Sequence, residues 1–70
     1  MEKLTNREQE VLELLVQGLS NKDIAETLYL SVHTVKANLE NIYDKIGIHN
    51  RVLIGIYYYK HNQEKFSLEK

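Results

Sequence analysis

Residues 20–39 read SNKDIAETLYLSVHTVKANL, and this stretch decides the fold. Ser20 is a favoured cap residue before a helix over 21–28, and Ser31 stands in the same way before a longer helix over 32–46. The link between the two helices is so short that they must cross at a steep angle. Such a pair is typical of the helix-turn-helix, whose second helix lies in the major groove of DNA. The stretch therefore predicts a sequence-specific DNA-binding domain.

A further helix is predicted over 6–17, ahead of this motif. Thr5 and Glu8 have the spacing of a capping box, in which the side chain of each accepts a hydrogen bond from the backbone amide of the other. Gly18 is placed to end this helix, and Gly47 the helix over 32–46, because glycine takes a left-handed conformation without strain. The apolar residues at helical spacing, which we expect to be buried, are Val11, Leu12, Leu15 and Leu19.

The helix over 32–46 is predicted to have two distinct faces. Its apolar stripe consists of Val32, Val35, Leu39, Ile42, Tyr43 and Ile46. The opposite, polar face carries His33, Ala37, Glu40, Asn41 and Asp44. Lys36 flanks this polar face. Because the side chain of Ala37 is small and lies at its centre, the helix backbone can approach base edges closely.

A fourth helix is predicted over 51–60, behind the cap residue Asn50. Three of its residues can face the core, namely Ile54, Tyr57 and Tyr58. A second apolar stripe, which a short helix of so small a domain does not need for its own core, consists of Val52, Gly55, Ile56 and Tyr59. The domain is expected to cover 1–62, and the polar segment 63–70 is expected to fray.

Composition narrows the class of protein. Seventy residues with 43% hydrophobic side chains predict one small all-α domain of four helices. The chain has no cysteine and its three histidines are scattered, so no disulfide, metal site or cofactor is expected. No apolar run approaches the roughly 18 residues that span a bilayer, and no signal peptide opens the chain. A cytoplasmic protein with no membrane partner is the expectation.

The charge of the chain is unusual for a DNA-binding domain. The net charge is −1 and the pI about 6.3, whereas such domains usually carry a basic excess. Residues 20–51 contain four basic and four acidic side chains, so the predicted DNA-binding part sums to zero. We therefore expect a monomer to bind generic DNA weakly, and two copies to be needed for enough phosphate contacts.

The motifs occur in a fixed order along the chain. They are Leu4-Thr5-x-Arg7-Glu8, Gly18-Leu19-Ser20-Asn21-Lys22, Ile24-Ala25, Ser31, Thr34-Val35-Lys36 and Lys45-Ile46-Gly47-Ile48 through Arg51. Together they closely resemble the LuxR/FixJ-type (NarL-like) helix-turn-helix domain, over about residues 4–60. Domains of this family occur at the C-termini of quorum-sensing activators and response regulators, and as short free-standing regulators.

The resemblance implies roles for particular residues. The residues at family positions that meet base edges are Lys36, Ala37 and Glu40, and His33 and Asn41 are further DNA-binding candidates on the same helix. The residues near positions that meet phosphates or brace the motif are Lys22, Ser31, Thr34, Lys45 and Arg51. Family domains pair on DNA through the fourth helix, which would explain the stripe of Val52, Gly55, Ile56 and Tyr59. The implied partners are double-stranded DNA and a second copy, RNA polymerase is a further candidate, and no small-molecule ligand is expected.

Three positions depart from the family pattern. Asn38 stands where histidine is usual, Gln9 where a basic residue is common, and Glu40 where lysine or arginine is frequent. Glu40 would repel phosphates, but a carboxylate can accept a hydrogen bond from the amino group of cytosine. A plainer interpretation of Lys36 is that it only pairs with Glu40 on the helix surface.

Two other classes of function were weighed against a transcription regulator that binds DNA as a dimer. A helical protein-interaction module that keeps the fold but has lost useful DNA affinity would fit the neutral charge of residues 20–51. An enzyme finds no support, since no nucleophile with a base, metal cluster or phosphate loop is present.

Overall fold

The structure is a computed structural model that describes residues 3–67. Within that range it contains four helices and no strand: α1 (Asn6–Val16), α2 (Asn21–Leu28), α3 (Val32–Ile46) and α4 (Arg51–Ser67). The all-α, four-helix fold predicted from the sequence is therefore confirmed. The predicted bounds of α2 and α3 agree with the structure, and α1 ends one residue earlier than predicted, with Gln17 as its C-cap.

The predicted cap residues hold the helix starts. The Thr5 hydroxyl accepts a hydrogen bond from the Glu8 amide at 3.1 Å, and the Thr5 amide donates to Glu8 Oε1 at 2.9 Å. Ser20 and Ser31 accept from the amides three residues further on, at 3.1 and 3.0 Å. Each cap satisfies amide groups that the first turn of a helix would otherwise leave without partners. The two serines therefore set the starts of α2 and α3 locally.

The helix ends use residues in the left-handed conformation. Gly18 after α1 and Gly47 after α3 have φ values of 94° and 83°, as the sequence predicted. The turn between α2 and α3 uses Tyr29 instead, with φ 58°, and its ring is 93% exposed. The Leu30 amide donates to the Ala25 carbonyl at 2.8 Å, which completes the tight turn of the helix-turn-helix.

The core lies between α1 and the other helices. α1 contacts α2, α3 and α4, and α2 also packs on α3. The buried apolar residues are Val11, Leu12, Leu15, Ile24, Ala25, Val35, Leu39, Ile42 and Ile54. Most of the predicted inward stripes are confirmed, but Val32 is 39% exposed because it lies in the first turn of α3, at the edge of the core. The core fixes α3 by one face only.

α4 is longer than predicted. The sequence predicted its end near residue 60, yet the helix continues to Ser67, so the backbone of 63–67 is helical where fraying was expected. The prediction relied on the absence of an apolar period after His61. Residues 60–65 are mostly good helix formers and include neither proline nor glycine, so the helix can continue without a buried stripe. Residues 68–70, the rest of the expected tail, lie outside the described residues.

Candidate nucleic-acid interface

The outward face of α3 is an exposed polar surface. Val35, Leu39 and Ile42 hold the helix to the core. The opposite side is open to solvent, and its exposed residues are His33, Lys36, Ala37, Glu40, Asn41 and Asp44. This set consists of the polar face predicted from the sequence together with Lys36, which was predicted to flank it. We call these six residues the α3 outer face.

Most side chains of the α3 outer face have no partner within the described part of the domain. Among the side chains of residues 3–61, no hydrogen bond or ion pair joins His33, Lys36, Glu40 or Asn41 to another residue. The surface pairing of Lys36 with Glu40, considered above as the plainer interpretation, is not formed. These groups are therefore available to bind something outside the domain.

Asp44 is the member of this face with a local contact. His49 Nε2 lies 3.5 Å from Asp44 Oδ1, and the two groups form an ion pair only when the imidazole is protonated. His49 also lies beside the ring of Tyr43, with the ring centroids 6.1 Å apart. Both members of the Asp44–His49 pair are more than half exposed, so solvent screens it.

The start of α3 is held by two side-chain oxygens. Thr34 donates its amide to Ser31 Oγ, and Ser31 Oγ donates in turn to Thr34 Oγ1, each at 3.0 Å. Both residues are exposed. The first turn of α3 is thus fixed before any ligand binds, and its remaining amide groups point outward at the positive end of the helix dipole.

Lys45 is bound inside the domain. Its ammonium group lies 2.8 Å from Glu8 Oε1, and the two side chains are only 20% and 6% exposed. Burial alone would raise the pKa of Glu8, but the hydrogen bonds from Lys45 and from the Thr5 amide outweigh it and lower the pKa below its usual value. The structure therefore places Lys45 as a brace between α1 and α3. No sequence pattern joins residues so far apart, so this pair was not predicted from the sequence.

Arg51 also contacts the protein itself. Its guanidinium donates to Asn21 Oδ1 at 3.0 Å and to the Leu19 carbonyl at 2.9 Å. The start of α4 is thereby tied to the start of α2. Arg51 and Lys22 line an open groove of about 600 Å³ that includes Leu15, Gly18, Leu19, Ser20 and Asn21. Lys22 is exposed at the rim of this groove.

The second apolar stripe of α4 is largely exposed. Val52 is 70%, Ile56 47% and Tyr59 60% exposed. Gly55, which was grouped with them, is half-buried at the contact with α1, where a Cβ atom would lie 3.6 Å from Val16 Cγ1. Leu53, which lies outside the predicted stripe, is also 54% exposed. On the other side of the helix, Tyr58 donates its hydroxyl to Glu13 at 2.8 Å, and burial together with this carboxylate raises the pKa of Tyr58 to about 12.

Other kinds of site are not found in the part of the chain that the structure covers. Residues 3–61, whose side chains the structure describes, contain no group of three histidine, cysteine, aspartate or glutamate side chains able to hold a metal ion. No helical segment within residues 3–67 has both the length and the hydropathy that a membrane-spanning helix needs. The α3 outer face and the exposed stripe of α4 are therefore the surfaces that need an explanation.

The sequence of the chain matches a known family over most of its length. Residues 2–57 match the family described as bacterial regulatory proteins, luxR family. The chain belongs to this family. It is a LuxR-type helix-turn-helix domain, a DNA-binding domain of transcription regulators, and the resemblance inferred from the motifs is confirmed.

The similar proteins are response regulators. The luxR domain is 38% identical over 63 residues to the nitrate/nitrite response regulator protein homolog of Haemophilus influenzae. The match covers 90% of this chain and 30% of that protein. It is 39% identical over 61 residues to the response regulator protein VraR of Staphylococcus aureus, covering 87% and 29% of the two chains. It spans less than a third of the length of either relative.

A solved structure shares the fold of the luxR domain. The response regulator ChrA of a heme-sensing two-component system superimposes with a TM-score of 0.77 and 40% sequence identity. The match covers 90% of this chain and 31% of that chain. The luxR domain thus has the fold of the matching part of a response regulator.

Proposed function

We propose that the luxR domain reads DNA with α3 lying in the major groove. The observation that carries this proposal is the contrast between the two faces of α3, since one is buried in the core and the other is polar, exposed and mostly without intramolecular partners. In a helix-turn-helix the second helix presents such a face to base edges. Lys36, Ala37 and Glu40 would meet bases, and His33 and Asn41 would lie beside them.

The residues around α3 would position the domain on the phosphate backbone. Ser31, Thr34 and the first turn of α3 offer hydroxyl and amide groups, and Lys22 offers an exposed ammonium group. Arg51 and Lys45 are engaged with the protein, so we assign them chiefly to bracing the helix-turn-helix. Arg51 lines the groove beside Lys22 and can still offer its remaining N–H groups to a phosphate.

We also propose that two copies bind together. With Lys45 and Arg51 engaged internally, few cations remain to contact phosphates, and residues 20–51 carry no net charge. The exposed Val52, Ile56 and Tyr59 on α4 are apolar, and such a surface is stabilised by burial against a second copy. A dimer would double the phosphate contacts and read two half-sites. Since DNA is its ligand, the protein would work in the cytoplasm of a bacterium, and contact with RNA polymerase is a further part of the proposal if it activates transcription.

The test is a binding titration at several salt concentrations. The 70-residue chain is used to select a duplex from a library with 20 randomised base pairs, and the association constant for the selected duplex is measured between about 20 and 200 mM salt. A DNA reader gives a steep negative slope of log K against log salt, because bound phosphates release counterions. Lys36→Ala should weaken binding at least several-fold at low salt and leave the helical circular dichroism unchanged. Lys60→Ala, an equal loss of charge on exposed α4, is the matched control and should have a smaller effect.

The same titration distinguishes DNA reading from the second candidate function, a protein-interaction module. A protein-interaction module is favoured by the neutral charge of residues 20–51 and by the internal use of Lys45 and Arg51. If the chain bound no duplex even at the lowest salt, the DNA-reading proposal would be wrong and the interaction module would replace it. If Lys36→Ala and Lys60→Ala had equal effects, the placement of the reading face would be wrong.

A further inference from the structure

One carboxylate on the α3 outer face is in an unfavourable place for a helix that enters a DNA groove. Of the two carboxylates of α3, Asp44 has His49 at 3.5 Å, whereas Glu40 has no cationic side chain within ion-pair distance among the described residues. Glu40 is exposed and lies one turn, about 6 Å along the axis, from Lys36. It lies closer to the centre of the outer face than Lys36 does.

Entry into the major groove changes the surroundings of this group. The carboxylate loses water and is brought closer to the phosphates, and both effects oppose binding unless a donor replaces the water. Lys36 does not serve as that donor in the free domain, since the two side chains are not paired. The donors available on the floor of the groove are the exocyclic amino groups of cytosine and adenine.

The four base pairs differ in how well they satisfy a carboxylate. Guanine and thymine present carbonyl and ring-nitrogen acceptors, which repel Glu40. Adenine presents its N6 amino group beside the N7 acceptor, whereas cytosine presents its N4 amino group as a donor on its major-groove edge. A carboxylate, which only accepts hydrogen bonds, is therefore best matched by cytosine.

We propose that Glu40 is a specificity-determining residue, which selects a cytosine in each half-site by accepting a hydrogen bond from its N4 amino group. This inference rests on the proposed function, because it needs α3 in the major groove. It assigns the luxR domain a class of operator, one with cytosine at a fixed position. Glu40 thus acts mainly by rejecting the other bases, since a wrong base leaves the carboxylate without a donor in the groove.

The experiment is selection from a duplex library with 20 randomised base pairs, followed by affinity measurements on the selected duplex and its single-base variants. The wild-type chain should select cytosine at one position of each half-site, and replacing it should weaken binding about 10-fold. Glu40→Gln should select adenine at that same position, because glutamine can bond both N6 and N7 of adenine. The rest of the selected sequence should not change.

A matched control separates base reading from charge. Glu26 is exposed on α2 and has no ion-pair partner among the described residues, so Glu26→Gln removes the same charge away from the α3 outer face. It should raise affinity for all duplexes alike and keep the cytosine. If Glu40→Gln also raised affinity for all duplexes alike and kept the cytosine, Glu40 would act only by repelling phosphates. The inference about cytosine would then be wrong, and the proposal that the domain reads DNA would be unaffected. If the wild type selected and bound no duplex, the proposed function itself would fail and this inference with it.

Discussion

At the scale of single residues, the domain uses its polar groups in two ways. Glu8 accepts hydrogen bonds from the Thr5 amide and from Lys45, so one buried carboxylate holds both the start of α1 and the last turn of α3. Such a brace matters because α3 is attached to the core by one face only. Most side chains of the α3 outer face, in contrast, have no partner among the described residues, and Asp44 is the exception. Two lysines of the same helix, Lys36 and Lys45, therefore have different surroundings, since only Lys45 is paired among the described residues.

The brace should give stability a particular dependence on pH. The pKa of Glu8 is lower in the folded chain than its ordinary value of 4.5. Its stabilising contribution is then fully present above about pH 4.5 and is lost as the pH falls through the folded pKa. Glu8→Gln should lower the free energy of unfolding by about 1–3 kcal/mol at pH 7, because it leaves Lys45 partly buried without its counter-ion. Urea denaturation at pH 7 and at pH 3 measures the free energies of unfolding of the wild type and the variant.

The difference in the free energy of unfolding between the wild type and Glu8→Gln should be smaller at pH 3 than at pH 7. Glu10→Gln is the control, because Glu10 is more than half exposed and pairs only with Arg7 at the surface. That variant should change stability by less than about 0.5 kcal/mol at either pH. If Glu8→Gln lowered the free energy of unfolding by the same amount at pH 7 and at pH 3, the stabilisation by the Glu8–Lys45 contact would not be electrostatic.

At the scale of helices, the sequence predicted contacts between residues close in the chain better than contacts between residues far apart in it. Ser20, Ser31 and Gly47 set helix ends through contacts within a few residues, so their roles could be predicted from spacing alone. The Lys45–Glu8 and Arg51–Asn21 contacts join distant residues, and no period in the sequence indicates them. The end of α4 was placed too early because a helix of good formers does not need an apolar stripe. The α3 outer face was predictable since the helical period separates it from the core.

The α4 stripe allows a prediction about cooperation between two copies. Ile56 is 47% exposed, so Ile56→Glu should leave the monomer folded and oppose pairing through α4. Affinity for a duplex with two half-sites should fall about 10-fold or more, while affinity for a single half-site should change less than about 2-fold. Fluorescence anisotropy with the two duplexes measures this difference.

A control removes the general effect of added negative charge. Gln17→Glu places the same charge at the exposed end of α1 and should weaken binding to both duplexes by the same factor. Equal losses on the two duplexes for Ile56→Glu as well would reject α4 as the pairing surface.

At the scale of the whole domain, a small core holds one face of α3 and leaves the opposite face exposed. α1 contacts the three other helices, α2 packs on α3, and the polar face of α3 is left open. The nearly neutral charge of the chain means that position and hydrogen bonding, more than general attraction to phosphates, must supply the specific affinity. The family shows that this is a DNA-binding domain, and the central claim concerns which surface does the binding.

The most direct measurement is an NMR titration of the ¹⁵N-labelled chain with the duplex obtained by selection, in which the amide chemical shifts are recorded at each step. The account predicts the largest shift changes along α3 and its first turn, at His33, Lys36, Ala37, Glu40 and Asn41, with a second set on α4 at Val52, Ile56 and Tyr59 when two copies bind. Buried Leu12 and Ile24 should change little. Large changes confined to α1 or α4, with the α3 outer face unmoved at saturation, would contradict the claim that α3 reads the DNA.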